Sequence, residues 1–538
     1  MSDSQVSKSV NKMTMGHLKV GEPIFESDSS RAMWAAAVVV SVLLMWAYWC
    51  FFQTDVRFFP QDDAYISLQF SRQFFESGKL AYNTGEPSAG LTSPLFVLLC
   101  SFFYLFIRDW YWTGVAVGLA SHFLLLVVGT DFCRRLFGNL VAIIFALLFV
   151  VNGRMLYLSL IGLESVTFAA TIMLLAYGFQ FWTRPGIGGA LLGVAYLCRP
   201  DGVFALPAML VVYAINRQWR RAIIDGLVCL AVISPWIIFC FFQNGTPFPN
   251  TVIVKKTHGL VLGDNWPFFK TLLFLSTYDH YYERMVASFV QMSLWETIRQ
   301  YVPVFGLSLL VFAWSPKKLW LPFATAIVQV TFLKLKHPGV AEWQRYLTLE
   351  HSVTILAMAV GLGSLYRYIV SKFNLLVARS AFFIGLTAIG ALFLSDLSWH
   401  AQARNIISRY FYTLDYHTGL WLSEHAPSNS RVGLYQAGGV KFYSQFYALD
   451  FGELMTPQLW EYRQRKAGYQ AILDFQLDYI AEFGRDWLTD WGIPDTEDPR
   501  FFHPIVDPSY IGRGLVQVDR EAIREHLRKE NLLGSKAP

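Results

Sequence analysis

The sequence predicts a mainly α protein: a polytopic bundle of transmembrane helices followed by a C-terminal mixed α/β domain outside the cytoplasm. Three observations carry this. Of 538 residues, 54% are hydrophobic and only 15% charged, against roughly 25% charged in an average soluble domain, so the chain cannot cover a water-facing surface. Apolar segments recur between residues 35 and 397. Beyond 398 the composition turns polar, over a stretch long enough for a small folded domain. The same figures exclude an ordinary cytosolic enzyme, a disordered chain and a disulfide-stapled secreted module. A net charge of +5 is too mild and too dispersed for nucleic acid.

Taken in order, residues 1–32 are polar and mixed in charge, with no signal-peptide pattern, and read as a cytoplasmic tail. Residues 33–398 make the membrane domain. Its first span covers 35–52, long enough for a ~30 Å hydrocarbon layer. A polar loop follows at 53–92. Within it Ile66, Phe70 and Phe74 have amphipathic helical spacing, as for a helix lying flat on a membrane, and Gly78, Asn83-Thr84-Gly85 and 87–90 make turns. Further apolar segments lie at 94–107, 113–131, 139–151, 163–181, 187–198, 203–215, 222–242, 302–314, 319–333, 352–366 and 381–397.

Basic residues in short loops mark the cytoplasmic side: Arg217, Arg220 and Arg221, then Lys317 and Lys318, then 367–379. Those marks put 53–92, 244–265, 334–350 and the C-terminal region outside. A cytoplasmic start with an external tail needs an odd number of crossings. One segment between 94 and 215 is therefore not a full crossing, and about 11 crossings remain. In the domain at 399–538, strands are expected at 431–435, 441–444 and 447–450, and a helix plus a strand within 472–483. The six cysteines, none in a CxxC pair, all lie in or beside apolar runs up to Cys240 and read as packing residues.

The strongest chemical signal is Asp62-Asp63, about ten residues past the first span. Adjacent carboxylates repel, and one at a membrane surface can deprotonate an incoming hydroxyl. Equally, Asp62 or Asp63 could cap the helix that follows. Glu164, Arg199 and Asp201 flank apolar segments, where a charge usually has a partner or a task. Lys255, Lys256, His258 and Arg345 fall in external loops and could face a phosphate. Tyr65, Tyr82 and Asn83 could line a sugar subsite or simply face the interface. No HExxH motif, clustered histidines or P-loop occurs. No metal or other cofactor is expected, the one alternative being a divalent ion shared by Asp62-Asp63 and phosphate oxygens.

Several motifs then recur in the order of one family. Asp62-Asp63-Ala64-Tyr65-Ile66-Ser67, Arg72, Asn83-Thr84-Gly85-Glu86-Pro87 and Gly90-Leu91-Thr92-Ser93-Pro94 resemble the first loop of a bacterial membrane glycosyltransferase family of the GT-C fold. That family includes the mycobacterial terminal arabinofuranosyltransferases. Gly162-Leu163-Glu164 resembles its Gly-Leu-Glu-Thr motif, with Ser165 here in place of Thr. Arg199-Pro200-Asp201, Pro249-Asn250-Thr251 with Lys255, and Arg345-Tyr346 resemble later motifs, and 433–450 the start of its soluble domain. The resemblance spans roughly residues 35–455.

The resemblance implies an inner-membrane enzyme that transfers a sugar, with inversion, from a polyprenyl-phosphate donor to a hydroxyl of a cell-envelope glycan or surface protein. Asp63 or Asp62 would be the base, the motif aligning the pair without splitting it. Lys255, Arg345, Arg199 and His258 would face the donor phosphate, and Tyr65, Asn83, Glu164, Asp201 and Asn250 the sugars. The donor sugar could be arabinofuranose. A glycosyltransferase acting on protein or lipid A would differ in acceptor and share the mechanism. A transporter or flippase of a lipid-linked sugar is the alternative class, but the chain shows no paired halves.

Overall fold

The computed structural model describes residues 29–257, short stretches between 321 and 329, Arg345, 348–372, 375–481 and most of 488–530. The tail at 1–28, the segment at 302–314 and His258 lie outside the described residues, as does most of 319–333.

The apolar runs become helices with recognisable stops. Helices run over Ser29–Phe52, Trp110–Phe137, Asn139–Val150, Ser165–Phe181, Ile187–Cys198, Ala205–Ile215, Trp219–Asn244, Thr348–Lys372 and Leu375–Phe411. The Asp109 side chain caps Trp110–Phe137 by accepting from the Trp112 N–H. Asn139–Val150 is followed, after a 64° bend, by Gly153–Ser159, a short helix absent from the sequence reading. Asn152 caps it by accepting from Met155. Trp110–Phe137, Trp219–Asn244 and Thr348–Lys372 are each long and apolar enough to cross a membrane. Leu375–Phe411 runs straight past residue 398 and continues through a π-turn into His417–His425.

Contacts sort the helix ends into two groups. At one end lie Arg134 and Arg135, both paired with Asp131. Arg367 donates to the Phe137 carbonyl there, and Arg221 to the Trp182 carbonyl. At the other end Arg404 binds the Phe51 carbonyl and the Tyr111 hydroxyl, Phe59 meets Tyr111, and the Asn250 N–H reaches the Ala89 carbonyl. The helix Pro94–Ile107 starts and finishes at this second end. Its Ser101 hydroxyl binds the Ser71 carbonyl, while Tyr104 and Trp110 both pack on Phe75. It therefore runs alongside the first-loop helix and is the apolar segment that does not cross.

The first-loop helix, Asp62–Ser77, stops at Gly78, whose φ of 71° lets its N–H return to the Phe74 carbonyl. A small hairpin follows, β1 (Ala81–Asn83) with β2 (Glu86–Pro87). Most of the helix from Asp62 to Gln73 is buried. It does not lie open on a surface as its spacing suggested: Pro94–Ile107 covers one side and the C-terminal region the other.

That C-terminal region holds a five-stranded sheet of β3 (Arg431–Leu434), β4 (Tyr447–Asp450), β5 (Tyr479–Ala481), β6 (Phe502–Pro504) and β7 (Leu515–Val518), in the order β4-β3-β5-β7-β6. β3 is parallel to β4 and β5, and β7 antiparallel to β5 and β6. Side chains alternate as strand geometry requires. Val432, Leu434, Tyr479 and Ala481 face Ile66, Phe70 and Tyr82 of the first loop, whereas Ile480 and Val516 face Leu459, Ile472 and Ile523 on the helices behind. The expected strand at 441–444 is instead the helix Gly439–Ser444, closed by Gln445 at φ 59°. Four residues with two aromatics between Lys441 and Ser444 fit either structure, and an acid from elsewhere in the chain settles it.

Candidate functional site

That acid is Asp62. Its Oδ2 accepts from the Gly438 N–H at 2.9 Å and its Oδ1 from the Gly439 N–H at 2.6 Å, at the start of Gly439–Ser444. Only glycine fits at 438, because a Cβ there would stand 2.0 Å from the Asp62 carbonyl oxygen. Asp62 is 8% exposed. It joins the first loop to the C-terminal sheet.

Asp63 turns the other way, since successive residues on a helix point about 100° apart. Its Oδ2 meets Arg345 Nη1 at 2.6 Å. The carboxylate keeps 43% of its side-chain surface open while Arg345 keeps 11%. Thr348 holds the Arg345 turn by donating to the Arg345 carbonyl at 2.8 Å. The two acids thus separate by environment: one is enclosed by backbone donors, the other is open and charge-paired.

A second cluster lies at the same end of the bundle. Gly162, at φ 74° and packed on Phe59, admits no larger residue and delivers Glu164 to the head of Ser165–Phe181. Arg199 Nη1 binds Glu164 Oε1 at 2.5 Å, and its Nη2 and Nε bind Asp201 Oδ2 at 2.9 and 3.1 Å. Gln329 approaches Asp201 at 3.5 Å. Glu350, which the sequence reading passed over, is buried on the neighbouring helix within electrostatic range of Arg199 and Asp201. An acid at the head of an apolar segment was its available signal. Arg199, expected at the donor phosphate, is here occupied by Glu164 and Asp201.

Three other expected residues have structural surroundings. The Tyr65 hydroxyl accepts from the Phe59 N–H within a cage of Phe58, Phe442 and Tyr443, and burial raises its pKa well above the usual phenol range. Tyr82 donates to the Ala437 carbonyl. Asn83 pairs with the backbone of Ala448 in both directions, at 2.9 Å each, extending the sheet edge with an amide. Tyr65 and Asn83, expected at the sugars, thus both brace the first loop. Lys255 lies on the helix Asn250–Thr257, which Ala89 ties to the first loop, and its side chain is outside the described residues. Asn250 Oδ1 and Thr251 Oγ1 are buried without hydrogen-bond partners among the described residues. No group of three His, Cys, Asp or Glu that could hold a metal ion occurs among the described residues.

The Asp62 junction adjoins two more buried charges. Burial, with help from Arg72, pushes the Lys441 ammonium down to about 7; its Nζ donates to the Phe446 carbonyl. Burial pushes Asp450 up to about 7, against the pull of N–H donors from Met455 and Gly452.

Solved structures of similar shape exist. ArnT from Cupriavidus metallidurans in the apo state matches with a TM-score of 0.60 at 13% identity, over 92% of this chain and 99% of its own. ArnT bound to undecaprenyl phosphate matches at 0.57, with the same identity and coverage. The oligosaccharyltransferase AglB from Archaeoglobus fulgidus, in complex with an inhibitory peptide and a dolichol-phosphate, matches at 0.57 and 11% identity, over 89% of this chain and 74% of its own. No family model and no curated protein matches the chain. At these identities the likeness establishes the fold, which is GT-C. The apolar helices and this fold make the chain an integral membrane protein.

Proposed function

We propose that this chain is an inverting GT-C glycosyltransferase of the bacterial inner membrane, moving a sugar from a polyprenyl-phosphate donor to a hydroxyl of a cell-envelope glycan or surface protein. The observation that carries the reading is the Asp63–Arg345 pair, an open carboxylate held by a buried guanidinium at the end of the bundle that bears the sheet. The opposite end gathers Arg134, Arg135, Arg221 and Arg367. By the rule that basic loops stay in the cytoplasm, the site and the C-terminal domain, 399–538, are extracytoplasmic. The undecaprenyl and dolichol phosphates of the ArnT and AglB structures support a lipid phosphate as the donor's carrier.

Asp63 takes the proton of the acceptor hydroxyl as that oxygen bonds to the anomeric carbon. The bond from that carbon to the phosphate oxygen breaks on the opposite face, and polyprenyl phosphate leaves as the anion. Arg345 aims Asp63, and its guanidinium, with Lys255, offers positive charge to the leaving phosphate. Asp201 and Glu164 border the sugar. Arabinofuranose is the first donor sugar to test.

The test is release of prenyl phosphate by the purified chain in nanodiscs, given synthetic prenyl-phosphate sugars and glycan acceptors. Asp63→Asn should lower turnover about 10²–10⁴-fold, the usual contribution of a general base. Lipid-sugar translocation without bond cleavage would overturn the reading.

A further inference from the structure

Glu350 opens the helix Thr348–Lys372, five residues after Arg345. It is 5% exposed, and neither carboxyl oxygen meets a hydrogen-bond donor of another residue among the described residues, its own peptide N–H being the one donor nearby. Acids in the first turn of a helix are favoured where peptide N–H groups and water share their charge. A buried one without donors is unfavourable, and an apolar side chain of similar size would hold the fold better. The site is already rich in acceptors. Arg199 is forked between Glu164 and Asp201, and the Glu350 carboxyl lies within electrostatic range of Arg199 and Asp201. What this corner lacks is donors. A phosphate brings only acceptors and negative charge, whereas a sugar brings several O–H donors and no charge.

We propose that Glu350 is a specificity-determining residue whose carboxyl accepts a hydrogen bond from one ring hydroxyl of the lipid-linked sugar, in a subsite bordered by Arg199 and Asp201. The assignment rests on the glycosyl-transfer reading and adds the part of the donor that is recognised. It also divides the site: the phosphate lies towards Arg345 and Lys255, and the sugar towards the acidic cluster. Arg345 stands three residues ahead of the helix that carries Glu350, so the two lie close in the chain.

The experiment is a cycle of enzyme variants against donor analogues. The prenyl-phosphate sugar that the wild type turns over is compared with its monodeoxy forms, each lacking one ring hydroxyl, using wild type, Glu350→Ala and Glu350→Gln. For one deoxy position the wild type should lose about 5–100-fold in kcat/KM, the range for leaving a buried hydrogen-bonding group without its partner. Glu350→Ala should lose about as much on the intact donor and little more on that deoxy donor. Binding of sugar-free prenyl phosphate should be unchanged in both variants. Losses that multiply at every position overturn the assignment. So does loss of prenyl-phosphate binding in both variants, which would make Glu350 a structural group. If the wild type cleaves no prenyl-phosphate sugar at all, the glycosyl-transfer reading fails and this inference with it. Turnover with purely multiplicative losses defeats Glu350 alone.

Discussion

Replacing each of the two adjacent acids by asparagine should damage different properties. Asp62 receives two backbone N–H groups, at 2.9 and 2.6 Å, in a buried setting. Charge-assisted bonds of this kind contribute about 1.5–3 kcal/mol each, so the pair holds the junction by roughly 3–6 kcal/mol. Asparagine keeps one neutral acceptor, worth about 1 kcal/mol, and turns an N–H donor towards the other peptide N–H. Asp62→Asn should therefore weaken the junction by about 2–5 kcal/mol. Opening of Gly439–Ser444 should become at least about 30-fold more frequent, at 1.4 kcal/mol per tenfold. Asp63 is 43% exposed and makes an ion pair of a kind typically worth ~0–1 kcal/mol. Asp63→Asn should leave that opening within a few-fold of wild type while lowering turnover about 10²–10⁴-fold. Amide hydrogen exchange over 438–445, beside the prenyl-phosphate release assay, reads both effects on the same samples. If Asp63→Asn loosens this helix as much as Asp62→Asn does, or if Asp62→Asn leaves exchange unchanged, the division of roles is wrong.

Arg199→Met should destabilise the bundle by about 3–5 kcal/mol, because it leaves buried Glu164 and half-buried Asp201 without their counter-charge. Adding Glu164→Gln should recover part of that loss in detergent denaturation, and a purely additive double variant would contradict the coupling. Gly438→Ala puts a Cβ 2.0 Å from the Asp62 carbonyl, so limited proteolysis should release the C-terminal sheet far faster than from wild type. Lys441 sets a pH dependence. Its folded value near 7 lies below the usual ~10.4, so the unfolded chain binds more protons between those values and stability should rise with pH across that window, by roughly 5 kcal/mol at most. Asp450, raised to about 7, gives the opposite slope at lower pH, stability falling as pH climbs from about 4 to 7. Lys441→Met should flatten only the alkaline limb of a denaturation series, and an unchanged slope would show that another group titrates there.

The membrane helices were legible because each is a long apolar run, and the ends expected from composition lie within a few residues of those at Trp110–Phe137, Ser165–Phe181 and Trp219–Asn244. Direction was not legible. The segment at 94–107 is as apolar as its neighbours, and only contacts with Ser71 and Phe75 show that it returns to its own end. The parity of the basic loops demanded one such segment between 94 and 215 without locating it. In the C-terminal region β3 and β4 were readable from their apolar residues, whereas the run at 441–444 was misread because its deciding partner, Asp62, lies far away in sequence. For the same reason the acids at 62 and 63 could not be told apart. Residue type left Tyr65 and Asn83 open between a sugar subsite and the interface, and it could not show their long-range partners, Tyr443 and Ala448.

The adjacency of the two acids now has a physical reason. A base must be held to a fraction of an ångström, yet it must stay open to its substrate, so it cannot be enclosed by the groups that would hold it best. Placing it one residue after an enclosed acid resolves the conflict. Asp62 is fixed by two peptide N–H groups that cannot change rotamer, and the helix backbone passes that precision to Asp63, about 100° around the axis. Arg345 then needs to supply only charge and aim, from an element that Thr348 anchors separately. On this argument the C-terminal sheet belongs to the site although it presents no catalytic group. The connection between β3 and β4 provides the two glycine N–H groups that locate the first turn of Asp62–Ser77, and with them the position of Asp63, the proposed base.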